Sequence, residues 1–151
     1  MLISSDSVKK LAEYVENRDE VFCSGLFLSA RWMVVSLLDV LGIQLIVLPD
    51  RDSAEYCAAD LYHLIEGDRV YFLPDSGKNL ERSNYKSSLG VQRTSAIGKI
   101  LEYREGEQMI VVTYPSALEE IIPEKGKISG SLLKLVVGEE RSYEEIKEIL
   151  F

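Results

Sequence analysis

Gln44-Leu45-Ile46-Val47-Leu48, closed by Pro49-Asp50, is the stretch that decides the fold class. After its first residue the run is wholly apolar and of strand length, the pattern of a parallel strand buried on both faces. Pro49 cannot donate to a ladder and ends it. Just downstream, Asp52 or Ser53 is expected to cap a helix running to about residue 66. That helix places Ala54, Cys57, Ala58, Leu61, Leu64 and Ile65 on one face, and Gly67 closes it. Arg69-Val70-Tyr71-Phe72-Leu73 then reads as a strand, again ended by Pro-Asp. Residues 75–90 are rich in Ser, Gly, Asn and Lys without periodicity and read as a long loop. A helix over 91–103, a strand over 108–113 (QMIVVT) and a helix starting at Pro115 complete the series.

Upstream the same alternation continues. Residues 30–41 read as a helix that is apolar nearly all round, with Gly42 as its stop. Residues 20–24 (EVFCS) read as a short strand ending at Gly25. Residues 7–17 place Val8, Leu11 and Val15 on one face of an N-terminal helix. Strands alternating with helices imply an α/β fold, a parallel sheet with helices on both faces and right-handed crossovers. Beyond this, residues 132–137 (LLKLVV) read as a strand, and Ser142 with Glu145 forms a capping-box pattern. The chain stops on Ile149-Leu150-Phe151, an apolar triplet with no terminator. We therefore expect one domain over residues 1–130, with 131–151 as the severed start of a second.

Composition narrows the function classes. Among 151 residues, 25 are acidic and 17 basic, a formal net charge of -8. A stand-alone nucleic-acid binder needs a basic face, and attachment to anionic membranes needs basic clusters. No apolar run reaches the ~20 residues of a membrane span, and the N-terminus does not read as a signal peptide. Cys23 and Cys57 are not in a CxxC arrangement and read as buried free thiols of a cytoplasmic protein. His63 is the one histidine, which excludes any multi-histidine metal site.

The informative turn follows residues 20–24. A strand, a glycine and a helix form the setting of a phosphate-binding loop, Gly-x-x-x-x-Gly-Lys-Ser/Thr. Here the eight positions are Gly25-Leu26-Phe27-Leu28-Ser29-Ala30-Arg31-Trp32. Ala30 puts a Cβ where backbone must approach phosphate. Arg31 replaces a compact ammonium by a broad planar fork. Trp32 has no oxygen for Mg²⁺ and is large enough to fill core volume beside the helix. The apolar Leu26, Phe27 and Leu28 are expected to pack inward. Gly25, Ser29, Ala30, Arg31 and Trp32 thus form a degenerate loop from which no cofactor binding is expected. The plainer alternative is that Gly25 is only the turn glycine of an ordinary βα unit.

This stretch resembles the N-terminal region of bacterial transcription-repair coupling factors (Mfd), where a similar loop stands in place of the ATP loop of the excision-repair protein UvrB. The resemblance continues in order. It runs through Leu45 to Asp50 with the helix after Ser53, Val70 to Pro74, Ile110 to Leu118, and Leu133 to Glu139 with Tyr143 to Leu150. It covers roughly residues 20–151, and its specificity lies in the ordered series rather than in one motif. Residues 75–90 are too short for the DNA-clamping aromatic hairpin of UvrB, which favours the coupling-factor reading. What the resemblance implies is a helicase-type domain with a degenerate nucleotide loop, followed by the start of a UvrA-interacting domain. The parent would be an ATP-dependent translocase, using ATP and Mg in a motor outside this chain. It would remove stalled RNA polymerase from DNA and recruit UvrA for nucleotide excision repair. This fragment would be a non-catalytic interaction module with no catalytic residue, metal or cofactor of its own. The alternatives are a small α/β ATP- or phosphate-binding protein using the Gly25–Arg31 turn, or an unrelated α/β binding domain.

Other candidate sites read more plainly. Lys78, Arg82, Lys86 and Arg93 make a basic stretch that reads as a solvated loop, since no aromatic platform accompanies it. Asp50 and Asp75 follow strands and read as helix caps rather than a metal pair. His63 reads as a surface or boundary residue. Glu139, Glu140, Glu144 and Glu145 read as a solvated acidic face.

Overall fold

The computed structural model describes residues 5–17, 20–38, 40–77, 83–122, 138, 140 and 142–150. They form α1 (Ser5–Glu16), α2 (Ala30–Ser36), β1 (Gly42–Val47), α3 (Arg51–Leu64) and β2 (Val70–Phe72). α4 (Ser83–Glu102), β3 (Gln108–Thr113), α5 (Pro115–Glu119) and α6 (Tyr143–Leu150) follow. The chain divides into two compact units, Met1–Glu120 and Ile121–Phe151.

The sheet of the first unit is parallel, in the order β1-β3-β2. Gly42 aligns with Gln108 and Val47 with Thr113, while Val70 aligns with Ile110. β3 is central and five of its six residues are buried, as its continuous apolar run requires. Alternate residues of β3 feed opposite faces. On one face Ile110 and Val112 pack with Trp32, Ala54, Cys57 and Leu61, under α2 and α3. On the other face Met109 and Val111 pack with Leu73 and Ala96, joined by Ile97 and Ile100 of α4. Among the described residues the α/β fold is therefore a three-stranded parallel sheet flanked by helices.

Three local expectations fail, each for a physical reason. Residues 20–24 form no strand. They are exposed and pair with no strand among the described residues, lying beside α1 instead. Val21, Cys23, Ser24 and Leu26 bound a cavity of about 400 Å³ with Val8, Leu11 and Tyr14 of α1. The helix from Ala30 stops at Ser36, not at residue 41. Its last turn tightens, with Leu37 N–H reaching both Met33 and Val34 carbonyls, and the chain then extends toward β1. The Leu38 carbonyl, left without a helical partner, accepts from Gln108 Nε2 at 2.9 Å. Gly42 opens β1 rather than ending the helix, with φ +111. Finally, the segment read as a loop over 75–90 already becomes helical at Ser83.

The second unit retains one clear local signal. Ser142 N–H donates to Glu145 Oε2 at 3.2 Å, and Glu145 N–H donates to Ser142 Oγ at 3.1 Å. That is the reciprocal capping box read from the sequence, at the start of α6. The strand expected over 132–137 lies outside the described residues, as do Glu139 and Phe151.

Candidate functional site

Two places come into question: the Gly25–Trp32 turn and the carboxyl edge of the sheet. The turn keeps one feature of a phosphate loop. Gly25 adopts φ +78, a conformation that favours glycine. Leu28 also has positive φ, at 50, which is uncommon for a branched side chain. The loop's apolar side chains do not pack inward as expected: Phe27 is 79% and Leu28 83% exposed. Without a paired strand before it, the turn has no sheet to cover them.

The polar groups of the turn are engaged by protein. Ser29 Oγ donates to Asp60 Oδ2 of α3 at 2.7 Å. Arg31 Nε donates to the Leu28 carbonyl at 3.4 Å, and its guanidinium lies 4.8 Å from the Trp32 ring centroid. Trp32 is buried in the α2–α3 core, which fits the volume-filling role expected of it. Ala30, at the position of the second loop glycine, is the first residue of α2.

The carboxyl edge is the usual ligand side of a parallel sheet, and here it is a closed polar knot. Asp50 is the N-cap of α3, accepting from Ser53 N–H at 2.8 Å, and the Ser53 contacts hold its carboxyl below the usual range. Arg51 donates from Nη2 to both oxygens of Asp75, at 2.7 and 2.8 Å. Its Nε donates to the Tyr114 hydroxyl at 3.0 Å, which also accepts from Asp75 N–H at 3.0 Å. Asp75 therefore does not cap a helix. It accepts instead from Gly77 N–H at 2.9 Å and from Ser116 Oγ at 3.3 Å. An open recess of about 460 Å³ lies over this knot, walled by Pro49, Asp52, Ser116 and Glu119. Among the described residues, no buried side-chain nitrogen or oxygen lacks a partner.

Burial by itself raises the Asp75 carboxyl. The Arg51 fork, the Gly77 N–H and the Tyr114 hydroxyl outweigh that and hold it below its ordinary value. A carboxyl depressed in the folded state stabilises fully above its unfolded pKa, about 3.9. That contribution disappears as pH falls through the lower folded value. Urea midpoints at pH 6 and pH 3 are thus expected to fall further for the wild type than for Asp75→Asn. Equal losses in the two proteins would show that the pair adds nothing at neutral pH.

The two cysteines differ, against the expectation that both are buried. Cys57 is buried, and Cys23 is exposed. Burial pushes the Cys57 thiol up to about 12, reinforced by the Asp60 charge and offset in part by Arg31. Titration with a disulfide reagent at pH 8 is expected to show one fast thiol in the native protein and two in denaturant. Two fast native thiols would contradict the packing of α3.

The sequence reading also misplaces Arg93. Grouped with Lys78, Arg82 and Lys86 as a solvated stretch, it is buried, at 7% exposure. Its fork binds the carbonyls of Pro74, Ala117 and Glu120, and its Nε pairs with Glu120 at 3.2 Å. The signal available in the sequence was spacing: Leu89, Arg93, Ala96 and Ile100 lie on one helical stripe. Lys78, Arg82 and Glu139 fall outside the described residues. His63, Glu140, Glu144 and Glu145 are exposed, as read. Comparison with protein-family models, curated proteins and solved structures gives no match.

Proposed function

We propose that this chain is a non-catalytic α/β interaction module, and that it is the N-terminal part of a transcription-repair coupling factor. The observation that carries the first half is the state of the Gly25–Trp32 turn. The side chains that would meet a phosphate are bound to protein: Ser29 to Asp60, and Arg31 to the Leu28 carbonyl and the Trp32 ring. Ala30 and Trp32 supply neither a close backbone approach nor a metal-binding oxygen. The second half rests on the ordered series of resembling segments over residues 20–151. On this reading the ATP- and Mg-using motor lies outside the chain, and RNA polymerase and DNA are met by other parts of the parent. UvrA is met mainly through the domain that begins after residue 130. The acidic balance of the chain, net -8, fits protein partners better than DNA. Among the described residues no helix is long and apolar enough to cross a membrane.

Isothermal titration with Mg-ATP separates the module from a nucleotide binder. No heat is expected at millimolar nucleotide, and micromolar, Mg²⁺-dependent binding overturns the degenerate-loop argument. The family assignment is tested on the gene. A reading frame continuing for several hundred codons into an intact ATP-binding motif is expected, and a stop codon directly after Phe151 overturns it.

A further inference from the structure

The two edges of the sheet are treated differently. At the β2 edge, the strand has only three residues, and the Phe72 N–H donates to the Tyr62 hydroxyl at 3.3 Å. Both features blunt an edge against pairing. The β1 edge has neither. β1 is six residues long, Gly-Ile-Gln-Leu-Ile-Val, with no charge and no proline. Its even-numbered residues bond to β3, as the Gly42 N–H to Glu107 and Leu48 N–H to Thr113 bonds show. The backbone groups of Ile43, Leu45 and Val47 therefore face outward. Their side chains, 46%, 54% and 48% exposed, share the α4 face of the sheet, where α4 packs on β2 and β3 residues. An open groove of about 710 Å³ runs along this edge, bounded also by Val15, Glu16, Val35 and Leu41, with the exposed Glu16 at its rim.

We propose that β1 is a self-association edge, pairing antiparallel with β1 of a second copy across a two-fold axis. The sequence of the strand selects this occupant. With Leu45 on the axis, Ile43 of one copy faces Val47 of the other, so apolar β-branched residues meet on one face and no charge is buried. The same register pairs all three outward-facing residues, giving about six backbone hydrogen bonds and one continuous six-stranded sheet. The exposed apolar side chains are few beside the ~800 Å² per partner of a standard interface, so the dimer is weak. The net charge of -8 on each copy opposes it, and added salt strengthens it by screening. The proposal does not depend on the function proposed above.

Sedimentation velocity on the whole chain over a wide concentration range is the test, at low and at high salt. A weight-average mass rising toward the dimer, more steeply at high salt, is expected. Leu45→Lys sets two lysines opposite each other on the axis and is expected to weaken dimerisation at least tenfold. Val91→Lys, at an exposed site on α4, is expected to leave it unchanged. Circular dichroism is expected to show that both variants fold, because each replaces an exposed side chain. Hydrogen exchange adds the distinction between occupants. The amides of residues 43, 45 and 47 should exchange freely in dilute monomer and become protected as concentration rises. Protection already present in the monomer means that another part of the chain covers the edge, and it overturns the proposal. A monomer at every concentration and salt overturns it too, leaving the edge to a different protein. A dimer indifferent to Leu45→Lys places the interface elsewhere and has the same force.

Discussion

Replacing Arg93 by methionine is expected to lower folding stability by about 3–5 kcal/mol, the usual result of removing one partner of a buried ion pair. The side chain is 8% exposed, and its pairing with Glu120 joins α4 to the end of the first unit. The guanidinium does more than balance one charge. Nη1 binds the Pro74 carbonyl at 2.7 Å and the Ala117 carbonyl at 3.1 Å, and Nη2 binds the Glu120 carbonyl at 3.2 Å. Methionine fills a similar volume but leaves those acceptors without a donor in a dry site. Lysine keeps the charge yet cannot fork, so Arg93→Lys should recover only part of the loss. Glu120→Gln should cost less, about 1–2 kcal/mol, since the three carbonyls still hold the guanidinium. Urea unfolding at pH 7 measures all three. A loss below about 1 kcal/mol for Arg93→Met would mean that the arginine is solvated after all.

The same residue explains why the sequence was only partly legible. Strand β3 could be read because a continuous apolar run has one favourable environment, the middle of a parallel sheet. β1 was legible as a strand but not as an edge: the same kind of run reads as buried on both faces, whereas Ile43, Leu45 and Val47 are about half exposed. The capping box at Ser142 could be read because both of its bonds are local. The first turns of α4 could not. Ser83, Asn84, Ser87, Ser88 and Gly90 are poor helix formers, and propensity alone favours a loop. What overrides propensity is tertiary: Leu89, Arg93 and Ala96 are all buried against the rest of the unit. Residues 20–24 fail in the opposite sense. Their strand propensity is good, yet they are exposed and join no ladder among the described residues, although the outer edge of β1 is open. The candidate turn was legible as chemistry, because Ala30 and Trp32 lack the required groups whatever their surroundings. Its engagement with Asp60 was not, since Ser29 and Asp60 are brought together only by the packing of α2 on α3. The Arg51–Asp75–Tyr114 knot was missed for the same reason. Its three members come from three separate strand ends, and no local pattern links them.

Leu61→Ala and Leu64→Ala should differ by more than their positions on α3 suggest. Periodicity puts both leucines on the helix's apolar side, three residues apart. The structure separates them: Leu61 is 0% exposed and Leu64 is 42% exposed. Leu61 sits in the core with Cys57, Val70 and Ile110, so truncation removes its transfer free energy and leaves a cavity. A loss of about 3 kcal/mol is expected there. Leu64 is the last residue of the helix, and the next residue, Ile65, turns back to pack on the same core. The Ile65 N–H makes the regular i to i−4 helical bond to the Leu61 carbonyl at 2.9 Å, and Leu64 lies on the exposed flank of that last turn. Its truncation forms no closed cavity, and a loss under about 1 kcal/mol is expected. Unfolding midpoints for the two variants, measured at one protein concentration, decide the matter. Equal losses would place Leu64 in the core, and α3 would have to rotate about its axis to put it there.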